Sequence, residues 1–447
     1  MLKDLLLPEI KSLIENRDWA GLREGLADAP APEVAELLPE LDAPERVLLF
    51  RALPRRLSTE IFSHLEPEDQ NSLLTALRDE ETRVLLAQMP PDDRTTLLEA
   101  LPDEVTRRLL NLLTPEDRKE ARELLGYPEE SVGRLMTPDF VAVRPEWTIA
   151  EAVEHIRRKG RDSETVNTIY VVDDNWKLLD ALELRRLILA SPEQTVESLM
   201  DHSFISVSAT DDREEAVRTI QRYDLEAAPV VSVDGSLIGI VTVDDVLDVA
   251  EEEFTEDLQK LSAMAPLEFS YKSTGLRLLY RKRIGWLLIL VMANLITIAV
   301  MKGFEDTLEA MVVLAFFIPL LMGSAGNTGA QSATLMIRSL STGDLQLTEW
   351  LPALVKEVSV GVALGLTMAT LCFILGTIYG GMGVGMVVGL TMLILVVVAN
   401  LIGMMLPFLL TKMKLDPAVA SSPLIMTIID AVGLIIYFAI AVLLLNL

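Results

Sequence analysis

The sequence predicts a multidomain chain. Its parts are an all-α superhelical N-terminal domain, a tandem α/β pair, an amphipathic connecting helix and a five-helix transmembrane domain. Three observations predict this: a leucine period of twelve over 32–125, a duplication offset by 64 over 132–257, and five long apolar segments after residue 280. Charge divides along the same line. The 447 residues carry 66 acidic and 39 basic side chains, a net charge of −27; 8 and 10 of these lie in 271–447, leaving 58 and 29 in the first 270. An acidic half of −29 is therefore joined to an apolar half of +2. Such a balance excludes nucleic acid as a partner bound through overall charge.

In the first domain, assigned to 1–130, Leu41, Leu53, Leu65, Leu77, Met89, Leu101, Leu113 and Leu125 recur every twelve residues. Pro54, Pro67, Pro90, Pro102 and Pro115 fall just after several of them. Proline suits the first turn of a helix and breaks its interior. Each unit is thus expected to be a short helix closed by a proline or acidic turn, as at Leu65-Glu66-Pro67-Glu68-Asp69. Stacked units make a small superhelix, whose acidic face reads first as a solvated surface.

In the duplication, Val132-Gly133-Arg134-Leu135-Met136 matches Val196-Glu197-Ser198-Leu199-Met200, and Thr148–Val153 matches Asp212–Val217. Val230–Val241 reads as a hairpin of two β-branched runs around Asp234-Gly235, with a helix opening near Val243. This pattern resembles a tandem pair of CBS domains, placed at 131–195 and 196–248. Such pairs are regulatory modules that often bind adenine nucleotides. The resemblance implies ribose and phosphate contacts at a Ser/Thr-x-x-Asp motif, here Thr242-Val243-Asp244-Asp245, so Thr242 and Asp245 are the implied nucleotide contacts. The first repeat has Glu183-Leu184-Arg185-Arg186 at that place and lacks the aspartate. No G-x-x-x-x-G-K-S/T loop is present, which argues against ATP hydrolysis.

The connecting segment, 249–275, continues an acidic run. Asp244, Asp245, Asp248, Glu251, Glu252, Glu253, Glu256 and Asp257 alternate with Leu247, Val249, Ala250, Phe254, Leu258 and Leu261 at helical spacing. Carboxylates four apart, such as Asp244/Asp248 and Glu252/Glu256, repel each other unless a cation intervenes. The run is either a solvated face or, given its place before the first span, part of a gate.

The apolar domain, 276–447, has segments near Ile284–Met301, Leu308–Arg338, Pro352–Tyr379, Val384–Leu410 and Pro423–Asn446, each long enough to span a bilayer. Arg281, Lys282, Arg283, Arg338, Lys412 and Lys414 fall on one side if the N-terminus is cytoplasmic, which leaves the C-terminus outside. The N-terminus, with Lys3, Asp4, Glu9 and Glu15, is too charged for a signal peptide. Asp430 lies in the last segment, either facing a water-filled cavity or held by a neighbouring Ser or Thr. Pro319–Ser332, with its glycines, Asn327 and Gln331, is expected to interrupt the second span, lining a cavity or packing on another helix. Asn294 and Asn400 add polar groups, while Gly361/Gly365 and Gly385/Gly389 mark close helix packing. Cys372 is the one cysteine, and His64, His155 and His202 are the histidines, so zinc and copper clusters are excluded. A metal handled here meets oxygen ligands, which favours Mg²⁺ or Ca²⁺.

The whole order, with Pro319–Ser332 and Asp430, resembles the MgtE family of magnesium channels. The resemblance implies a homodimer in the bacterial plasma (inner) membrane, passing Mg²⁺ down its electrochemical gradient along the two-fold axis. It also implies closure by cytosolic Mg²⁺ and ATP as a modulator. Asp430 matches the pore aspartate, and Asp416 a carboxylate at the cytoplasmic mouth that meets the connecting ("plug") helix. The implied regulatory ligands are Glu60, Asp92, Asp212, Glu214, Asp224, Asp245, Asp248, Glu253, Glu256 and Asp257. Thr96 stands where some members have an acidic ligand, and Ser422 and Ala330 replace pore asparagines of some members. The alternative is a CBS-regulated transporter of another divalent cation or solute. An anion carrier would want basic residues in the spans. A membrane-tethered enzyme is disfavoured, because there is no HExxH motif and no histidine after His202.

Overall fold

The computed structural model describes residues 2–27, 29–267, 271 and 274–446. The end of the acidic connecting segment, 268–270 and 272–273, lies outside them. The chain forms two compact units, Met1–Glu251 and Glu252–Leu447.

In the first unit, α1 (Leu2–Glu15), α2 (Trp19–Leu26) and α3 (Ala31–Ala35) precede a regular array. The array is α4 (Ala43–Ala52), α5 (Arg55–Ser63), α6 (Pro67–Ala76), α7 (Asp79–Gln88), α8 (Pro91–Ala100), α9 (Asp103–Leu112) and α10 (Pro115–Leu124). The seven helix starts repeat every twelve residues, as the leucines do. Leu53, Leu77, Met89, Leu101 and Leu113 each follow a helix with extended backbone and bury their side chains, so the period marks links rather than helix faces. Pro67, Pro91 and Pro115 occupy first helical turns, where no intrahelical bond is lost. Arginines tie helices two or three apart in the chain: Arg46 to Asp69 at 2.7 Å, Arg51 to Glu81 at 2.9 Å and Arg94 to Glu120 at 2.5 Å.

The α/β pair begins with α11 (Val132–Leu135), β1 (Ala142–Val143), α12 (Ile149–Lys159), β2 (Thr168–Val172), β3 (Leu178–Glu183) and α13 (Leu184–Leu189). The second repeat has β4 (Val207–Ser208), α14 (Arg213–Tyr223), β5 (Ala227–Val231) and β6 (Leu237–Thr242). Each repeat forms a three-stranded sheet, one parallel and one antiparallel pairing, with a register shift at the same place. Thr148 and Asp212, matched in sequence, are both helix N-caps. Gly235 turns the β5–β6 hairpin with φ +85°, which L-residues rarely adopt. The lead-in segments are exchanged. Val132 and Met136 complete the core of the second repeat, and Val196, Leu199 and Met200 that of the first. Neither repeat has a full core alone.

α15 (Val243–Leu261) continues from β6 into the second unit. The membrane unit comprises α16 (Leu276–Gly303), α17 (Glu305–Ala310), α18 (Ile318–Ser341), α19 (Trp350–Lys412) and α20 (Ser422–Leu445). Among the described residues four helical stretches are long and apolar enough to cross a membrane. One of them, α19, has 63 residues, about three times what a bilayer needs. It reverses at Gly381, whose φ of 82° and ψ of 177° are open to glycine alone. Across the reversal the backbones nearly touch: a Cβ on Gly376 would lie 2.8 Å from Gly385 Cα, and one on Gly365 3.0 Å from the Leu393 carbonyl. The arms 350–380 and 382–412 are therefore an antiparallel pair, and five spans result. The four glycines expected to pack helices closely line this seam. Gly381→Ala should cost about 1–3 kcal/mol of stability from backbone strain alone, since a Cβ there meets nothing within 4 Å. A lowered melting temperature in detergent checks this; an unchanged one would contradict the reversal.

Pro319–Ser332 does not interrupt the second span, contrary to the sequence expectation. α18 runs unbroken through it, with Pro319 in the first turn, where it costs no hydrogen bond. The irregular stretch lies earlier, at Met311 and the 3₁₀ segment Val312–Phe317. The glycines serve approach rather than breakage: Gly326 packs on Met426, and Gly329 on Ile425, Ile429 and the Ala399 carbonyl.

Candidate metal centres and ion path

The predicted site residues fall into three groups. The first gathers Asp92, Asp245 and Asp248 in the first unit. Asp92 enters the first turn of α8, is 6% exposed, and its Oδ1 is buried without a hydrogen-bond partner. Burial drives its carboxyl well above the ordinary range, and Asp245, Asp93 and Glu164 push it the same way. Asp245 is raised to about 7 by burial and by Asp244, Asp93 and Glu164, against the Thr242 hydrogen bond of 2.7 Å. Asp93, Asp248 and Glu164 are raised too, each first by burial and then by neighbouring carboxylates. The Ser63 hydrogen bond and then His64 oppose this at Asp93, and His64 opposes it at Asp248. Among the described residues none of these carboxylates has a Lys or Arg ion pair, whereas on the same α8 Arg94 holds Glu120. An all-oxygen cluster built around the buried Asp92, with no Lys or Arg partner, fits a hard cation. Among the described residues no group of three or more His, Cys, Asp or Glu side chains is placed to hold a metal ion.

The second group lies where α15 meets the turn Pro417–Val419 in the membrane unit. Asp416 caps the turn Pro417–Val419, its Oδ1 accepting from Ala418 N at 2.7 Å, while its Oδ2 meets Lys260 Nζ of α15 at 2.6 Å. Lys260 also pairs with Glu256. Burial works against the lysine's charge, but its two carboxylate partners outweigh burial and hold its pKa above the usual value. Asp257 is pushed up to about 6 by burial, then by Asp416, Glu253 and Glu256, with Lys260 opposing. Lys260 is thus a tethered cation among four carboxylates.

The third group is Asp430 alone. It is half-buried on α20 and makes no hydrogen bond or ion pair with any described residue, so a structural bond to a neighbouring Ser or Thr is not made. α20 packs on α18, one face of which carries Asn327, Ala330, Gln331 and Thr334 along an open groove of about 600 Å³.

Other predicted residues are not gathered. Glu60 and Thr96 are exposed. Asp212 caps the start of α14 and accepts from Glu214 N at 2.9 Å; Glu214 pairs with Arg218 at 3.6 Å. Asp224 ends the same helix in a left-handed conformation, about 18 Å from Asp212 by helical rise, so one ion cannot take all three within one chain. Asp224 instead lines a cleft of about 820 Å³ with Asn167, Arg185, Phe204 and Glu226. Thr242 spends its hydroxyl on Asp245, amid carboxylates that favour a cation over phosphate. Sequence reasoning missed Asp93 and Glu164, which only the fold brings to Asp92. It also passed over Lys260, visible as a cation one turn after Glu256, and Glu357, an acid inside an apolar segment as Asp430 is.

An apolar helical bundle holding an unpartnered carboxylate, encoded after an acidic helical array and a CBS-type pair, defines a multi-pass membrane protein of the cation-transporter class. Comparison with known proteins gives the particular family. Residues 318–440 match the MgtE divalent cation transporter domain, 29–130 the MgtE intracellular N domain, and 132–193 and 196–252 CBS domains. The magnesium transporter MgtE of Thermus thermophilus is 40% identical over 450 residues, covering 100% of both chains. That of Bacillus subtilis is 36% identical over 72% of this chain and 71% of its own. The crystal structure of the cytosolic domain of the Mg²⁺ channel MgtE in complex with ATP is 37% identical. It covers 55% of this chain and 100% of that one, with a TM-score of 0.53. The chain belongs to the MgtE family of magnesium transporters.

Proposed function

We propose that this protein is a Mg²⁺-selective channel gated by Mg²⁺, working as a homodimer with its N-terminus in the cytoplasm and its C-terminus outside. The domain limits 1–130, 131–195, 196–248, 249–275 and 276–447 belong to the same reading. The observation that carries it is Asp430, an unpartnered carboxylate at membrane depth on the helix packed beside the polar stripe of α18. A charge in that place is costly unless it faces water or an ion. One carboxylate is a poor match for a divalent ion, but a two-fold axis supplies two, and they would hold hydrated Mg²⁺ through its waters. Liposome flux of Mg²⁺ against Ca²⁺, Na⁺ and chloride tests the reading; a Mg²⁺ flux no larger than the others would defeat it.

Closure follows from charge. Repulsion within the Asp92–Asp245 cluster and at the Asp257–Asp416 mouth opposes crowding of these groups, over about 8 Å at physiological salt. Mg²⁺ removes that repulsion, and it shifts the gate because the closed state binds it better. A nucleotide, ATP in the solved relative, would modulate this from the Arg185-lined cleft rather than from Thr242 and Asp245. Lys260 sets the balance at the mouth. Lys260→Met should raise open probability several-fold at sub-millimolar Mg²⁺ while saturating Mg²⁺ still closes the channel. Patch recordings with an unchanged Mg²⁺ dependence would show that the lysine does not hold α15 to the mouth.

A further inference from the structure

Glu357 is a second carboxylate held among the membrane helices, and it belongs to none of the three groups. It lies two turns into α19, is 8% exposed, and accepts a hydrogen bond from Ser332 Oγ of α18 at 2.9 Å. The same hydroxyl lies 3.3 Å from the Asn400 carbonyl on the second arm of α19, and Asn400 Nδ2 donates to the Glu357 carbonyl at 3.4 Å. Ser332 and Asn400 are buried as well. Three helical arms therefore meet at one polar knot within an apolar contact. Glycines let them approach: a Cβ on Gly403 would collide with the Gly329 carbonyl, and one on Gly361 would lie 3.1 Å from Asn400 Nδ2.

The knot has leverage because of its position on α18. Ser332 directly follows Gln331, which lines the open groove with Asn327 and Thr334. A slip of α18 by one residue, about 1.5 Å and 100°, would turn Ser332 away from Glu357 and move the groove stripe equally. A serine–carboxylate bond is charge-assisted and stiffer than a neutral one. We propose that Glu357 is a positioning residue for conduction: through Ser332 it fixes the rotation and height of α18, and so the placement of Asn327, Gln331 and Thr334 along the ion path. The inference rests on the channel reading above.

The test uses full-length protein in liposomes, with Mg²⁺ and Ca²⁺ fluxes and melting temperature measured for wild type, S332A, E357A, E357Q and S332A/E357A, and D430A as the blank. Absence of Mg²⁺ flux from wild type defeats the channel reading itself. With wild-type flux present, S332A and E357A should each raise the Ca²⁺ to Mg²⁺ flux ratio by roughly tenfold, with the double variant no worse than either. E357Q, which keeps a carbonyl to accept from Ser332, should restore most of the selectivity. A merely structural role lowers both fluxes together with the melting temperature and leaves the ratio at its wild-type value. That result, or additive effects in the double variant, overturns the proposal. If E357A does not fold, S332A and E357Q decide: a wild-type ratio in S332A overturns it.

Discussion

Asp430→Ala is expected to cut Mg²⁺ flux by about 100-fold or more, to the level of empty liposomes, while the protein stays folded. The gross attraction between a divalent ion and a carboxylate about 5 Å away is on the order of 6 kcal/mol at an effective dielectric constant near 20. With half of that offset by the ion's lost hydration, about 3 kcal/mol remains, which corresponds to roughly a 100-fold change. Folding does not suffer, because Asp430 makes no hydrogen bond or ion pair with any described residue, and a lone charge among apolar helices costs a few kcal/mol to keep there. Asp430→Asn should lose nearly as much flux, since it keeps the shape but not the charge. Mg²⁺ uptake into dye-loaded liposomes, alongside size-exclusion profiles, measures both halves of the claim. Normal uptake by the alanine variant would remove Asp430 from the ion path.

Most of the fold could be read from the chain, because its signals are periodic. The twelve-residue leucine spacing gave the helical array, although the leucines proved to be links between helices. The offset of 64 gave the paired sheets, and the Asp234-Gly235 turn gave their hairpin. What escaped depends on contacts distant in sequence. The exchange of Val132 and Val196 between the repeats leaves no local trace. In the sequence Pro319 and the glycines of α18 read as a break because small positions with Asn327 and Gln331 face lipid poorly. In this bundle they sit in a first turn and in close contacts. On α15 the helical period holds, yet Val246 and Val249 are buried whereas Leu247, Phe254 and Leu258 stay exposed. Of the candidate site, Asp92, Asp245 and Asp248 do come together, yet Asp93 and Glu164 join them only through folding.

Neutralising Asp245, Asp248 and Glu256 together should leave the channel open at millimolar Mg²⁺. Driving a gate from 1:99 to 99:1 takes about 5.5 kcal/mol of differential binding, and the three substitutions remove ligands from both acidic groups. Asp92, Asp93, Glu164, Asp244, Glu253 and Asp257 all remain in the variant, so acidic groups still crowd there while ligands that would relieve them are lost. Protons offer an independent check. Asp245 near pH 7 and Asp257 near pH 6 are both raised above the usual carboxylate range, first by burial. The crowded arrangement therefore binds more protons than a dispersed one, and its stability falls as pH rises from the ordinary carboxylate range through about 7. Acid thus does part of the work of Mg²⁺. Lowering cytosolic pH from about 8 to about 6 should reduce the Mg²⁺ needed for half-closure and flatten the Mg²⁺ response, and the triple variant should lose the share of that pH dependence that Asp245 supplies while keeping that of Asp257. Simple competition, in which protons only displace Mg²⁺ from its ligands, predicts the reverse sign. A rise in the Mg²⁺ requirement at low pH would mean that this cluster does not set the gate.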